Sequence, residues 1–376
     1  MALRGLKVIE FLGLAPGPLC GTFLADFGAT VTVINKIGPA PFDVLSNGKK
    51  VISVDLKCKQ GLDIVNKLCA SSDVLIDTFR PGVLEKLGLG PESLLKKNPR
   101  LIYARLTGYG QTGPYKDKAG HDINYVAMSG ILSLLGRNGQ PPMPPINLLA
   151  DFAGGSLTCT LGIILALFER TKSGKGQVID CGMTEGLAYL STWLFKARDR
   201  LLQGEPGTNL LDGGFPFYST YKTKDGKFMA VGALEPQFYA NLLEGLQLSA
   251  DKYPQADVEE CRKKFEEIFK SKTQEEWCKI FENLDACVTP VLAIDSIDDH
   301  EYHKNKNTFF RDSENKILPE PSPTLSRTPG VSVGKEPLPP QGQHTVQILK
   351  ELGYSDKIIQ DFLNKGYVYA HEKSKL

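Results

Sequence analysis

The sequence predicts an α/β protein with a parallel sheet, followed by a smaller α+β domain. In the first half, short apolar runs alternate with helical patterns, as expected for parallel βαβ units. These runs are continuous in Val, Ile and Leu, which is typical of strands covered on both faces. After about residue 210, a hairpin followed by helices replaces this alternation. A chain of 376 residues is long enough to bury its core without disulfides.

The first half contains five predicted strands and four predicted helices in alternation. The strands are predicted at residues 6–11, 30–34, 73–77, 101–106 and 177–181, and the helices at residues 19–27, 61–70, 91–97 and 155–171. The last of these helices is the most apolar, and we expect it to be buried. Its apolar run, residues 157–168, is about 12 residues long and too short to span a bilayer, so no membrane span is predicted.

The second half begins with a predicted β-hairpin around an Asp225-Gly226 turn. Helical patterns then dominate as far as a connection rich in Pro, Gly and Ser at residues 318–342. The hairpin strands are predicted at residues 217–222 and 228–231, and the helices at residues 236–245, 258–270, 273–284, 345–353 and 355–364.

Charge and cysteine content exclude several classes of protein. Basic and acidic residues number 44 and 43, so the basic excess of a nucleic-acid-binding protein is absent. The eight cysteines are scattered without a CxxC pair, and we expect reduced thiols and no metal site.

The two ends of the chain bear on its location. No apolar segment with a cleavage site opens the sequence, so a secretory signal is not expected. The final Ser374-Lys375-Leu376 is the peroxisomal address, with a chance tripeptide as the alternative. Such an address must be accessible, and residues 370–373 are predicted to be polar and exposed.

Three polar residues interrupt apolar or glycine-rich surroundings. His121 stands between Gly120 and an acidic residue, and its local pattern alone favours a capping or core histidine over a catalytic one. Asp151 precedes the most apolar helix, either as its N-cap or as a carboxylate with a tuned pKa. Glu235 lies between a strand and Pro236, where helix capping is the simplest interpretation.

The segments that carry these residues resemble the α-methylacyl-CoA racemases of the family III CoA-transferase superfamily. Further matching segments occur in the same order along nearly the whole chain. The matching segments are residues 8–10, 15–18, 80–83, 105–110, 120–125, 147–155, 174–177 and 232–238.

The resemblance implies the family III CoA-transferase fold in an interlocked homodimer. A discontinuous Rossmann-like large domain would comprise residues 1–185 and the C-terminal helices of residues 343–376, and a small α+β domain residues 211–310. Residues 186–210 and 311–342 would be linkers, and long loops of this kind are unusual in a compact monomer. Each active site would lie between the large domain of one subunit and the small domain of the other.

The resemblance also implies interconversion of (2R)- and (2S)-2-methylacyl-CoA thioesters through an enolate. His121 and Asp151 match the two proton-transfer residues, and Asn147 and Glu235 match the residues that support them. Inversion at this carbon needs a base on one face and an acid on the other. Backbone N–H groups at the start of a helix at residues 152–168 would stabilise the thioester oxygen.

The implied CoA site lies mainly in the N-terminal domain, and no cofactor is expected beyond the CoA of the substrate. A Lys at position 36, where the family usually has Arg, keeps the charge but loses the bidentate fork. The matching residues are Lys36, Val54, Asp55, Leu56, Lys57, Thr78, Phe79, Arg80, Lys86, Gly120, Asp122, Ile123, Asn124 and Tyr125.

Two other functions remain open for this fold. A family III CoA-transferase would use Asp151 as a nucleophile, and transferases of the superfamily generally lack a His at position 121. A non-catalytic acyl-CoA-binding protein would not need His121, Asp151 and Glu235 together. A racemase in the peroxisome, with the mitochondrion as a second expected location, would serve β-oxidation of branched fatty acids and bile-acid intermediates.

Overall fold

The computed structural model describes residues 1–38 and 42–371. The predicted targeting tripeptide, residues 374–376, lies outside the described residues. The prediction of an exposed segment at residues 370–373 is wrong at Ala370, which is 1% exposed. Ala370 directly follows a short strand that joins the main sheet, and it packs into the core of that sheet.

The first half of the chain contains all the parallel strands of the main sheet. Its elements are β1 (Lys7–Phe11), α1 (Pro16–Asp26), β2 (Thr30–Asn35), β3 (Lys50–Val54), α2 (Lys59–Ala70), β4 (Val74–Asp77), α3 (Val83–Lys86), α4 (Pro91–Lys97), β5 (Ile102–Thr107), α5 (Asp122–Met128), a π-helical segment (Leu148–Leu157), α6 (Thr158–Ser173), β6 (Val178–Gly182) and α7 (Met183–Leu190).

The remaining elements form the second unit and then return to the first. They are α8 (Thr192–Leu201), β7 (Tyr218–Lys222), β8 (Phe228–Gly232), α9 (Pro236–Gly245), α10 (Val258–Phe269), α11 (Gln274–Phe281), β9 (Val288–Pro290), α12 (Glu301–Lys306), β10 (Phe309–Arg311), β11 (Ile317–Pro319), α13 (Thr345–Glu351), α14 (Asp356–Asn364) and β12 (Val368–Tyr369).

The main sheet has the strand order β12-β3-β2-β1-β4-β5-β6. Its strands run parallel, except that β12 is antiparallel to β3. Strand β5, which lies between β4 and the edge strand β6, is buried along its whole length, as the continuous apolar runs predicted. The predicted α/β class with a large parallel sheet is therefore confirmed.

Strand β3 is an element that the sequence analysis did not predict. Its sequence, Lys-Val-Ile-Ser-Val, is short and interrupted by a serine, so it lacks the uniform apolar run of the other strands. It nevertheless pairs with β2 on one side and β12 on the other. This pairing joins the C-terminal part of the chain to its N-terminal sheet.

Helices α13 and α14 pack against the same sheet face as α2 and α4. Leu349 and Ile359 from the C-terminal helices share one apolar core with Ile52 and Ile64. His344 precedes α13 and fastens it to β3, because its Nδ1 accepts the Val51 N–H at 3.0 Å. The His344 N–H in turn donates to the Val51 carbonyl oxygen at 3.0 Å.

Acidification is expected to weaken this connection. Burial, with a smaller contribution from Lys50, lowers the pKa of His344 below its ordinary value of 6.5, against an opposing effect of Glu351. The unfolded chain then binds this proton before the folded chain does, so stability falls as the pH drops below about 6.5. His344→Asn removes the titration. Between about pH 8 and pH 5.5, the urea concentration at the midpoint of unfolding should fall further for the wild type than for this variant. Equal falls in the two proteins would contradict the expectation.

The chain divides into two compact units. The first comprises residues 1–129, 145–190 and 300–376, and the second residues 130–144 and 191–299. The second unit contains the antiparallel sheet β7-β8-β9, in which β7 and β8 form a hairpin. Its core is aromatic, with Tyr221 stacked on Phe269 at 4.8 Å and Trp277 almost fully buried.

Helix α6 differs from its predicted burial. Cys159, Ile163 and Ala166 are buried, whereas Leu165 and Phe168 are 59% and 62% exposed. An apolar run marks a helix but does not show whether a neighbour covers every face. The continuous helical stretch Leu148–Ser173 is long and apolar enough to cross a membrane by length and composition alone, a test that core helices of soluble proteins also pass.

Candidate active site

Two cavities of the first unit share His121 and Asp151. They have volumes of about 290 and 240 Å³, and both are also lined by Gly13 and Leu14. The larger one lies where β1, β4 and β5 end, because residues 12–14, 78–81 and 106–109 contribute to its wall. The carboxyl ends of parallel strands are the usual place for ligand binding in α/β sheets.

His121 occupies the N-cap position of α5 through its main chain. Its N–H donates to Asn124 Oδ1 at 3.1 Å, and its carbonyl oxygen accepts the Asn124 N–H at 2.8 Å. The residue is exposed, and it lines both cavities. A core histidine is thereby excluded, and the side chain is available to a ligand in the cavities.

The π-helical segment begins abruptly at Asn147. Ile146 and Asn147 adopt φ values of 57° and 61°, in the left-handed region that non-glycine residues rarely occupy. Asn147 Nδ2 donates to Asp151 Oδ2 at 2.8 Å. Of the two alternatives for Asp151, the N-cap role is wrong, because Asn147 holds the cap position and Asp151 lies inside the segment. Segments of π-helix are frequent at functional sites.

Asp122 joins α5 to the π-helical segment. It was predicted to bind CoA, but its side chain is buried and its Oδ1 accepts the N–H groups of Ala150 and Asp151 at 2.9 and 2.8 Å. The predicted N–H donors at the start of residues 152–168 are also wrong. The helix begins at Leu148, so those groups lie in its interior, where they pair with carbonyls of the preceding turn.

The environment of Asp151 favours its protonated form. Burial is the largest effect and raises the pKa of Asp151 above its ordinary value of 3.8, and the nearby charge of Asp122 raises it further. The hydrogen bond from Asn147 and the nearby His121 oppose this shift. The cavities thus contain a carboxyl group that retains its proton to a higher pH than an exposed Asp, beside an imidazole.

Substitution of Asp122 is expected to affect both stability and the pH profile. Asp122→Ala leaves two buried N–H groups unpaired and should lower the free energy of unfolding by about 1–3 kcal/mol. Asp122→Asn keeps an acceptor oxygen and should cost less, but it removes the negative charge near Asp151. The pKa of Asp151 should then fall, which a downward shift in the acid limb of the activity profile would reveal. An unchanged profile in the Asn variant would contradict this expectation.

Tyr125 fixes the loop that precedes His121. Its hydroxyl donates to the Gly120 carbonyl oxygen at 2.5 Å, and its ring meets Tyr109 edge to face at 5.0 Å. A Cβ at Gly108 would lie 2.1 Å from this ring, so glycine is required there. Burial raises the pKa of Tyr125 to about 12.

Three basic side chains line the larger cavity. Arg80 was predicted, whereas Lys116 and Lys118 were missed, although their position just before Gly120 in the sequence could have indicated them. Thr78 and Phe79 line the same cavity. Their turn is held by Asp77, whose Oδ1 accepts the Phe79 N–H at 2.9 Å. Burial raises the pKa of Asp77 to about 6, although Arg105 lies 3.5 Å away.

The other predicted CoA residues line neither cavity. The Val54 side chain is fully buried in the apolar core and is unavailable for side-chain contact, which corrects that part of the prediction. Lys36, Lys57 and Lys86 are exposed. The remaining predicted residues outside the cavity walls are Asp55, Leu56, Ile123 and Asn124.

Glu235 belongs to the second unit. It is exposed at the N-cap position of α9, where the capping interpretation placed it, but its side chain accepts no hydrogen bond there. A cavity of about 1350 Å³ in this unit does not include Glu235 in its lining. Among the residues that the structure describes, no cluster of His, Cys, Asp or Glu has the arrangement of a metal site.

Comparisons with known proteins place the chain in a family. The model of CoA-transferase family III matches residues 3–345. The chain is 54% identical to the α-methylacyl-CoA racemase of Mus musculus and 50% identical to that of Homo sapiens, in each case over 100% of this chain and 99% of the relative. Relatives named as CoA-transferases match at lower identity.

A solved structure shows the same fold. The CAIB/BAIF family protein from Brucella suis is 24% identical, with a TM-score of 0.77, and the match covers 93% of this chain and 99% of that one. The family model and the two racemases span the parallel sheet, the π-helical segment and the second unit. The chain therefore belongs to CoA-transferase family III.

Proposed function

We propose that the chain is a cofactor-independent isomerase that interconverts (2R)- and (2S)-2-methylacyl-CoA thioesters. The observation that carries the proposal is that His121 and Asp151 line the same two cavities. The names of the mouse and human relatives support the same reaction.

The reaction moves one proton off the α-carbon and another onto it. A neutral His121 removes the α-proton on one face and becomes imidazolium, which leaves a planar enolate. Protonated Asp151 then donates its proton to the opposite face of that carbon, so the configuration inverts. In the reverse direction the carboxylate of Asp151 is the base and the imidazolium of His121 is the acid. The raised pKa of Asp151 suits the first direction.

Asn147 and Glu235 complete the proposed machinery in different ways. Asn147 orients Asp151 through the 2.8 Å hydrogen bond. Glu235 is proposed to act on His121 across the subunits of an interlocked homodimer. The exposed apolar residues of α6, among them Leu165 and Phe168, favour a covered surface of this kind, since exposed patches of large apolar residues commonly mark interfaces.

The CoA group is proposed to bind along the larger cavity. Its phosphates would contact Arg80, Lys116 and Lys118, with Lys36, Lys57 and Lys86 as further cations on the surface. The main chain of residues 54–57 and the loop at residues 120–125 would contact the rest of the group. Basic side chains of this kind suit phosphate oxygens.

The proposed location is the peroxisome, reached through an import receptor that reads Ser374-Lys375-Leu376, with the mitochondrion as a second location. There the enzyme would supply the epimer that β-oxidation of branched fatty acids and bile-acid intermediates consumes. Import can be tested by fusing residues 365–376 to a fluorescent protein and comparing it with a fusion that ends at residue 373.

A solvent-exchange experiment tests the reaction. Incubation of one epimer of a 2-methylacyl-CoA with the protein in D2O should introduce deuterium at the α-carbon and equilibrate the two epimers. Transfer of CoA to an added carboxylate without exchange would instead identify a CoA-transferase. That alternative is disfavoured because the relatives named as CoA-transferases match this chain at lower identity than the two racemases do.

A further inference from the structure

We propose that the hydroxyl of Thr107 binds the neutral pantetheine arm of the CoA ester by a hydrogen bond to one of its amides. This inference rests on the proposed function, because it names a further substrate-binding residue of the same site. Thr107 is the last residue of β5, and no role was predicted for it.

The first observation is an unpaired buried hydroxyl. Thr107 is 9% exposed, and its Oγ1 is enclosed without a hydrogen-bond partner among residues 1–38 and 42–371. Buried side-chain hydroxyls in native proteins nearly always have a partner, so an exception calls for a physical cause. A ligand group that completes the hydrogen bond supplies such a cause.

The second observation is the place of Thr107 in the site. It lines the larger cavity together with His121 and Asp151. Its main chain is fixed by pairing with Gly182 in the neighbouring strand β6, and the carbonyl of the next residue, Gly108, accepts the Thr184 N–H at 3.1 Å. The hydroxyl is therefore held at a rigid strand end. The main-chain groups beside it are already paired with other main-chain groups.

The chemistry around Thr107 selects the part of the ligand that reaches it. Arg80, Lys116 and Lys118 are exposed, so the charged phosphates meet them on the solvent side of the cavity. The thioester must reach His121 and Asp151. The portion between phosphates and thioester is the uncharged arm, which carries amide donors and acceptors. A deeply buried neutral hydroxyl suits an amide better than it suits a phosphate, which prefers cations.

The test compares Thr107→Val with Thr107→Ser in the full chain. Valine keeps the shape and removes the hydroxyl, and serine keeps the hydroxyl. For the exchange of a 2-methylacyl-CoA, we expect the Val variant to raise KM about threefold to tenfold with kcat little changed. The Ser variant should restore KM to within about twofold of the wild type.

The Tm measured without substrate distinguishes a ligand-binding hydroxyl from a structural one, because loss of a structural hydroxyl would lower the Tm. Thr107→Val removes an unpaired buried polar group, so its Tm should rise above that of the wild type. Thr345→Val is the matched control, since Thr345 is fully buried and its hydroxyl has two partners. It donates to the Tyr369 carbonyl oxygen at 2.6 Å and accepts the Ser53 N–H at 3.2 Å, so the Tm of this control should fall.

A shorter probe separates the arm from the phosphates. With the acyl-pantetheine ester, which lacks the nucleotide, the Val variant should show the same fold-rise in KM as with the CoA ester. Loss of the effect with this probe would assign Thr107 to the nucleotide end and overturn the proposal. An unchanged KM with both probes, or a lower kcat at unchanged KM, would also overturn it. Failure of the wild type to exchange either ester would refute the proposed function instead.

Discussion

His121→Ala is expected to lower the rate of epimerisation by about 10²–10⁴-fold, the usual contribution of a positioned acid–base group. The loss should be chemical rather than structural. The hydrogen bonds that begin α5 use the main chain of residue 121 and the side chain of Asn124, and alanine preserves both groups. The urea midpoint and the far-UV circular dichroism of the variant should therefore match those of the wild type.

The solvent-exchange assay adds a sharper expectation for this variant. With His121 gone, Asp151 still faces the substrate, so one epimer should exchange its α-proton without inversion and the other should be inert. His300→Ala is the control, since His300 caps α12 from outside both cavities and should leave epimerisation unchanged. Full epimerisation by the His121 variant would disprove its catalytic assignment.

Asp151→Asn should cause a loss of similar size, about 10²–10⁴-fold, because the amide has no proton acidic enough to transfer to the enolate and cannot serve as a base. The variant remains close to isosteric, and its oxygen can still accept the hydrogen bond from Asn147. Only the epimer that His121 deprotonates should then exchange. The two variants are thus expected to show complementary epimer specificity, which chiral analysis after incubation in D2O would measure.

Asp26→Asn is a matched control for this variant. Asp26 is another buried carboxyl whose pKa is raised, to about 6, chiefly by burial. It accepts the Val333 N–H at 2.8 Å and lines neither of the cavities that contain His121 and Asp151. Its substitution is expected to leave the exchange of both epimers intact. Equal exchange of both epimers by the Asp151 variant would exclude Asp151 as an acid–base residue.

The strands with continuous Val, Ile and Leu runs could be predicted from the sequence because a doubly covered strand demands such residues. Strand β3 could not, because its pairing with β2 and β12 compensates for the serine that interrupts it. The exposure of α6 was also unpredictable, since composition does not tell which face is covered.

The proposed catalytic pair shows why local patterns do not suffice to locate a site. His121 and Asp151 are 30 positions apart, and neither has a distinctive neighbour sequence. Their proximity depends on Asp122, which reaches from α5 to the amides of the π-helical segment. A single residue with a long-range partner leaves no periodic signal, so only the resemblance to known proteins indicated the pair.

The number of residues in the π-helical segment Leu148–Leu157 determines where the carboxyl group of Asp151 lies. Successive side chains of a helix point in different directions around its axis, so one residue more or fewer before Asp151 would rotate its carboxyl out of the cavities and away from Asn147. We therefore expect this segment to tolerate many side-chain substitutions but no insertion or deletion of a residue. Among functional relatives, the number of residues between Asn147 and Asp151 should therefore vary less than the number between His121 and Asn147.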